Sequence, residues 1–258
     1  RTTPRAYEKI GAKDKGPEDS MHHARVSLNK AVDLAKEAAG SSVIIIGSIA
    51  PLEDCYVSEF FPGKNVAIAE FFQLGKWLIE SGIDILLLET MNSIIETETC
   101  LTALGNLGLP IWVSFVLKDE YHLLSGDSVS DALEMVRGYS VECIMLNCNP
   151  LCRTLMAVDN IVDNWPGKWG VYPNLGIGGP SPDGNIIHYE KMDLFISTMQ
   201  KIINKNPFIL GACCGSSSNH LKELIKLRNK FYFLVLKNEL CRFFQIVCWL
   251  IITQVEPW

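Results

Sequence analysis

Short, continuously apolar runs alternate with segments of helical periodicity along most of this chain, and that rhythm leaves few folds open. The runs are Val43–Ser48, Asp84–Glu89, Ile111–Leu117, the run ending at Cys148, Lys168–Tyr172 and Phe208–Gly215. Between and around them, apolar residues recur at helical spacing near 21–39, 66–81, 93–105, 128–137, 152–163, 188–203 and 219–229. A run that is apolar throughout predicts a strand buried on both faces, as in parallel sheets. Alternation with helices predicts right-handed crossovers. Polar residues collect at the C-terminal ends of the runs: Ser48, Glu89, Ser114, Asn147 with Cys148, Asn174, and Cys213 with Cys214. Both a barrel and an open doubly wound sheet bind ligands at that end. Convergence of so many strands on one point favours a (β/α)8 TIM-type barrel. Six strands are visible and nothing before residue 20 resembles one, so the barrel is expected to lack its first one or two βα units.

The sixth run ends in Ala212-Cys213-Cys214-Gly215, followed by three serines and a helical pattern from about Asn219. Neighbouring cysteines are poorly placed to bond each other, because a disulfide needs a geometry that a planar trans peptide resists. They are well placed to hold one metal ion. Zinc favours thiolates, takes four ligands, and keeps one position open when it is catalytic. Cys148, ending another apolar run, is the best third ligand. Two other readings compete. Buried cysteines also pack as small hydrophobes. Cys148, Cys152, Cys213 and Cys214 together would make a closed structural site.

Other function classes are set aside by composition. The net charge is −6, and no basic patch suits a nucleic-acid backbone. Nine cysteines, an odd number without the spacing of a small secreted scaffold, suggest free thiols in a cytoplasmic setting. The N-terminus, Arg1-Thr-Thr-Pro-Arg5, has no signal-peptide pattern. The tail from 230 to 258 breaks the rhythm. Its runs Phe231–Leu236 and Ile246–Ile252 read as strands or a packed helix and are too short to span a membrane. The chain thus divides into a barrel domain at 1–229 and an atypical apolar tail at 230–258.

Five stretches together resemble the zinc-dependent homocysteine S-methyltransferase family. They are Ile83-Asp-Ile-Leu-Leu-Leu-Glu-Thr90; Val113-Ser-Phe-Val-Leu-Lys-Asp119 with Leu124-Ser-Gly-Asp127; Leu146-Asn-Cys-Asn-Pro150; Val171-Tyr-Pro-Asn-x-Gly176; and Gly211-Ala-Cys-Cys-Gly-Ser-x-x-x-His220. Ser48-Ile-Ala-Pro-Leu52 fits more loosely. The family's opening strand, which ends in Asp-Gly-Gly, has no counterpart here.

The resemblance implies transfer of a methyl group to the thiol of homocysteine, or to a thiol or selenol analogue, giving methionine. It implies a Zn2+ ion held by Cys148, Cys213 and Cys214. It implies substrate contacts from Glu89, which would bind the ammonium, and from Thr90, Ser114, Asn147 and Asn174. The partners implied are homocysteine and a small methyl donor, with a sulfonium such as S-methylmethionine preferred. An ion-paired or helix-capping role is the alternative for Glu89. An inactive relative that keeps a zinc-binding or structural role is the alternative for the whole chain. His188 and His220, near helix starts, are expected to cap or pack.

Overall fold

A computed structural model describes residue 5 and residues 17–40, 43–178, 186, 188–236 and 245–246. Its centre is one parallel sheet in which spatial order follows chain order: β1 (Ile46–Ile49), β2 (Ile85–Met91), β3 (Ile111–Phe115), β4 (Val141–Pro150), β5 (Lys168–Asn174), β6 (Ile209–Leu210) and β7 (Gln245–Ile246). A doubly wound sheet reverses direction at a switch point. This sheet never does, so its crossovers all step the same way. Among the described residues no ladder joins β1 to β7.

The helices are α1 (Pro17–Ala39), α2 (Lys64–Glu80), α3 (Ile94–Leu104), α4 (Val129–Arg137), α5 (Leu151–Asn164), α6 (Met192–Ile203) and α7 (Ser218–Leu236). In α2, the stripe Ala67, Phe71, Leu74 and Leu78 is buried, as the helical period requires. Ser93 and Ser128 cap α3 and α4, their side chains accepting from the Glu96 and Asp131 N–H groups.

All residues of β2 and β3 are buried, which explains their unbroken apolar sequence. The two faces of the sheet serve different cores. Leu86, Leu88, Val113, Ile144, Leu146 and Val171 pack in the large core with the helices. Ile85, Leu87, Trp112, Cys143, Met145, Tyr172 and Ile209 form a smaller core made only of strand residues. The sheet therefore covers one of its own faces with its own side chains.

Several boundaries differ from expectation. Val43 and Ile44 lie before β1 and are exposed, because the ladder begins only where Ile46 meets Ile85. The Asp84 carboxylate accepts from the Ile45 N–H just ahead of it. The sixth strand is two residues long, although Gly211 N–H and Cys213 N–H still donate to Val171 and Pro173 carbonyls on β5. The last helix runs to Leu236, so Phe231–Leu236 is helical and α7 crosses residue 229. No described helix is long and apolar enough to cross a membrane. Most of the 246–252 run and of the 175–184 loop lies outside the described residues.

Candidate metal centre

The C-terminal ends of β4 and β6 bring three thiols together. The Sγ atoms of Cys148, Cys213 and Cys214 all lie within 4.8 Å of one another. Cys148 Sγ is 2.8 Å from Cys213 Sγ, and Cys213 Sγ is 3.8 Å from Cys214 Sγ. Thiolates sharing a tetrahedral zinc at ~2.3 Å stand roughly 3.7 Å apart, so the second spacing suits a shared ion and the first is tighter. Cys152 is exposed on α5 and stands outside the group. That removes the closed four-thiolate arrangement. Cys100, Cys143, Cys148, Cys152, Cys213 and Cys214 form no disulfide.

Backbone geometry makes the cluster possible. Strand alternation would put Cys148 on the helix-facing side with Ile144 and Leu146. Instead Cys148 adopts φ 54°, and the β4–β5 register shifts between Asn147 and Pro150. The thiol thus turns toward Cys213, which packs against the inner core. Cys214 is tied to β5 by its carbonyl, which accepts from Leu175 N–H at 2.8 Å. Gly215, at φ 77°, then takes the chain close past Gly176 and Leu175, where a side chain would collide with the Tyr189 ring.

The thiols titrate as a unit. Hydrogen bonds from Cys148 and then Cys213 push the Cys214 thiol down to about 3. For Cys213, the bonds to Cys148 and Cys214 and then burial push the thiol well up. Cys148 also ends well above its ordinary value: the bond from Cys213 favours its thiolate, but the bond to Cys214 and burial outweigh it. A cluster holding one thiolate easily and three only reluctantly is one that a cation would complete.

Glu89 sits at the end of β2, 4% exposed. Its Oε2 accepts from Ser48 Oγ at 2.6 Å, and its Oε1 is buried without a hydrogen-bond partner at ordinary distance. Among the described residues no cation pairs with it and it caps no helix. Burial pushes its carboxyl up, against the Ser48 hydroxyl and the Tyr172 phenol, with Cys214 adding to the rise. A buried carboxylate with one open oxygen is suited to a cation from outside.

Thr90, Ser114 and Asn147 meet in one buried network. Asn147 Oδ1 accepts from Thr90 N–H at 3.1 Å and from Ser114 Oγ at 2.7 Å, and its Nδ2 donates to Thr90 Oγ1 at 2.8 Å. Asn174 sits apart from this network. Its Oδ1 accepts from Gly176 N–H at 2.7 Å, the closure of a local turn. Two N–H groups shortly after the thiols are also taken, Ser216 N–H by Cys213 O and Ser217 N–H by His220 Nδ1. His220 packs edge-on against Phe195.

The sequence alone assigns no role to two neighbours of the site, Tyr172 and Tyr56, and marks Ser48 only as a polar strand end. Ser48 and Tyr172 border Glu89. Tyr56, on the loop after β1 and 51% exposed, has its phenol pushed up by partial burial and then by Cys148, Cys55, Cys214 and Cys213. Ser48 and Tyr172 sit inside the quoted motifs, but only the fold turns them toward one carboxylate. Nothing in the local sequence marks Tyr56.

The family model for homocysteine S-methyltransferase matches residues 8–227. The chain belongs to the homocysteine S-methyltransferase family. Homocysteine S-methyltransferase 2 of Zea mays is 25% identical over 164 residues, covering 59% of this chain and 47% of that protein. The Escherichia coli homocysteine S-methyltransferase is 27% identical over 173 residues, covering 59% and 55%. The chain thus spans about half the length of these curated relatives. The crystal structure of the E. coli homocysteine methyltransferase MmuM, oxidized form, superposes with a TM-score of 0.72 at 21% identity, covering 87% of this chain and 76% of that one. That likeness concerns the fold.

Proposed function

We propose that this family member is a zinc-dependent thiol methyltransferase that takes a methyl group from a sulfonium donor such as S-methylmethionine and passes it to homocysteine, giving methionine. The observation that carries this reading is the trio of Cys148, Cys213 and Cys214 within 4.8 Å. The donor set fits zinc: three sulfur ligands converge, and Cys152 stands apart, leaving a position for the substrate. Bound zinc would hold the substrate sulfur as a thiolate, the form that attacks carbon.

The chain's own residues do the rest. Glu89 Oε1 receives the substrate ammonium, while Ser48 holds Oε2 in place. The network of Thr90, Ser114 and Asn147 fixes the strand ends that carry Glu89 and Cys148. The strand-only inner core closes the floor of the site and keeps water from below. The substrate thiol would release its proton to solvent on binding the metal, so the methyl-transfer step needs no general base and its rate depends on alignment. We assign Asn174, whose Oδ1 closes its own turn, as a neighbour of the open position.

For the architecture, we read the sheet as the wall of a (β/α)8-type barrel, to which residues 1–229 give six strands and residues 230–258 give β7 and the end of α7. The sequential strand order and the self-covered inner face support this.

The test is methionine formation by zinc-loaded protein supplied with homocysteine and S-methylmethionine, beside Cys213→Ser. Methionine from the wild type alone supports the reading. Full zinc occupancy with no methionine from a sulfonium donor sinks it and leaves a zinc-binding role without turnover.

A further inference from the structure

Glu89 and Cys148 stand on strands separated by β3, and each sits beside an interruption of its strand. The β2–β3 register shifts between Leu88 and Met91, and the β4–β5 register shifts between Asn147 and Pro150. Within those interruptions Thr90 has φ 59° and Cys148 has φ 54°. For a β-branched threonine this backbone is strained, and it persists only where the surroundings impose it.

The side chain of Asn147 lies between the two interruptions. It accepts from the N–H of Thr90, the residue after Glu89, and is itself the residue before Cys148. The Thr90 N–H can only donate, so it fixes which end of the amide faces it. The other end donates to Thr90 Oγ1, and Ser114 on the intervening strand supplies a third bond to Oδ1. Asn147 is fully buried. Its polar atoms are directed at Thr90 and Ser114, which argues against direct contact with substrate. Aspartate at this position would lack the donor, and leucine would take away the partner of the buried Thr90 N–H and of its hydroxyl.

We infer that Asn147 is a positioning residue that sets the separation between the Glu89 carboxylate and the Cys148 thiol, and so selects thiols by the distance from sulfur to ammonium. The inference rests on the proposed role of Glu89 and the thiol cluster. A site held this way prefers homocysteine over a thiol of equal length without the ammonium, and over cysteine, which is one methylene shorter. Loss of the amide frees the two interruptions to relax separately. The metal that the three thiols would hold still takes the substrate sulfur, but Glu89 no longer meets the ammonium at the same time.

The experiment uses cobalt(II)-substituted protein and reads binding from the sulfur-to-cobalt charge-transfer band. Homocysteine and 4-mercaptobutyrate are titrated into the wild type, Asn147→Ala and Ser114→Ala. The wild type should prefer homocysteine by roughly 10- to 100-fold, the range of a charge-assisted hydrogen bond. Asn147→Ala should keep the band and lose most of that preference; Ser114→Ala should fall between. General destabilisation would weaken both ligands together and leave the ratio intact. A wild-type ratio in folded Asn147→Ala overturns the inference, and so does a wild type without preference. If Asn147→Ala does not fold, Ser114→Ala decides: an unchanged ratio overturns the inference, and a reduced ratio supports it. The readout needs no turnover, so a protein that discriminates but forms no methionine defeats the proposed reaction and not the positioning role.

Discussion

Cys148 Sγ lies 2.8 Å from Cys213 Sγ across 65 residues of chain and across an intervening strand. In a flat sheet, strands two apart are separated by about 10 Å. The contact therefore needs both curvature toward the inner face and the inward turn at Cys148. It makes the metal reading a statement about tertiary structure as much as about composition.

Zinc content tests this first. Purified protein should carry about one zinc per chain, measured by atomic emission. Cys148→Ser and Cys213→Ser should each reduce it to near none. Cys152→Ser should leave it unchanged, since Cys152 is outside the cluster.

The Glu89 carboxyl is raised above its ordinary value of 4.5, chiefly by burial. The folded state therefore holds this proton more tightly than the unfolded state does. The stability that goes with it is complete below the unfolded value and is lost as pH rises through the folded one. Glu89→Gln removes that dependence. In metal-free protein, its melting temperature should exceed that of the wild type at pH 7.5, with a smaller difference at pH 4.5. In the zinc-loaded enzyme, the same change should raise KM for homocysteine roughly 10- to 100-fold by removing a charge-assisted contact.

Gly170 on β5 tests the approach of β6. A methyl group there would stand 2.6 Å from the Ile209 carbonyl and would also strike the Ile209 side chain. Gly170→Ala should destabilise the protein by about 1–3 kcal/mol in urea denaturation. It should also lower zinc occupancy, because β6 leads directly into Cys213 and Cys214. Destabilisation with full zinc occupancy would separate the packing of β6 from the metal site.

The balance between sequence and fold differs from residue to residue. Glu89 could be placed on the inner face by alternation with Ile85 and Leu87, because strand geometry is local. Cys148 could not: alternation assigns it to the helix side, and only the left-handed turn reverses it. Asn147 was legible as a polar residue at a strand's C-terminal end, beside Cys148. Its partners on β2 and β3 were not, since a hydrogen bond across 57 residues leaves no mark in the intervening sequence. The Ser48 and Tyr172 hydroxyls at Glu89 belong to the same class.

The sequence by itself determined the alternation of strand and helix, the unbroken apolar strands, and the thiols and carboxylate at their C-terminal ends. Those properties depend on periodicity and on residue type, which are local. Tertiary structure alone decided that Cys148 turns toward Cys213, that Asn174 spends its side chain on a turn, and that Asn147 joins the two interrupted strands. Each depends on distances between elements far apart in the chain, and these are set by sheet curvature and packing.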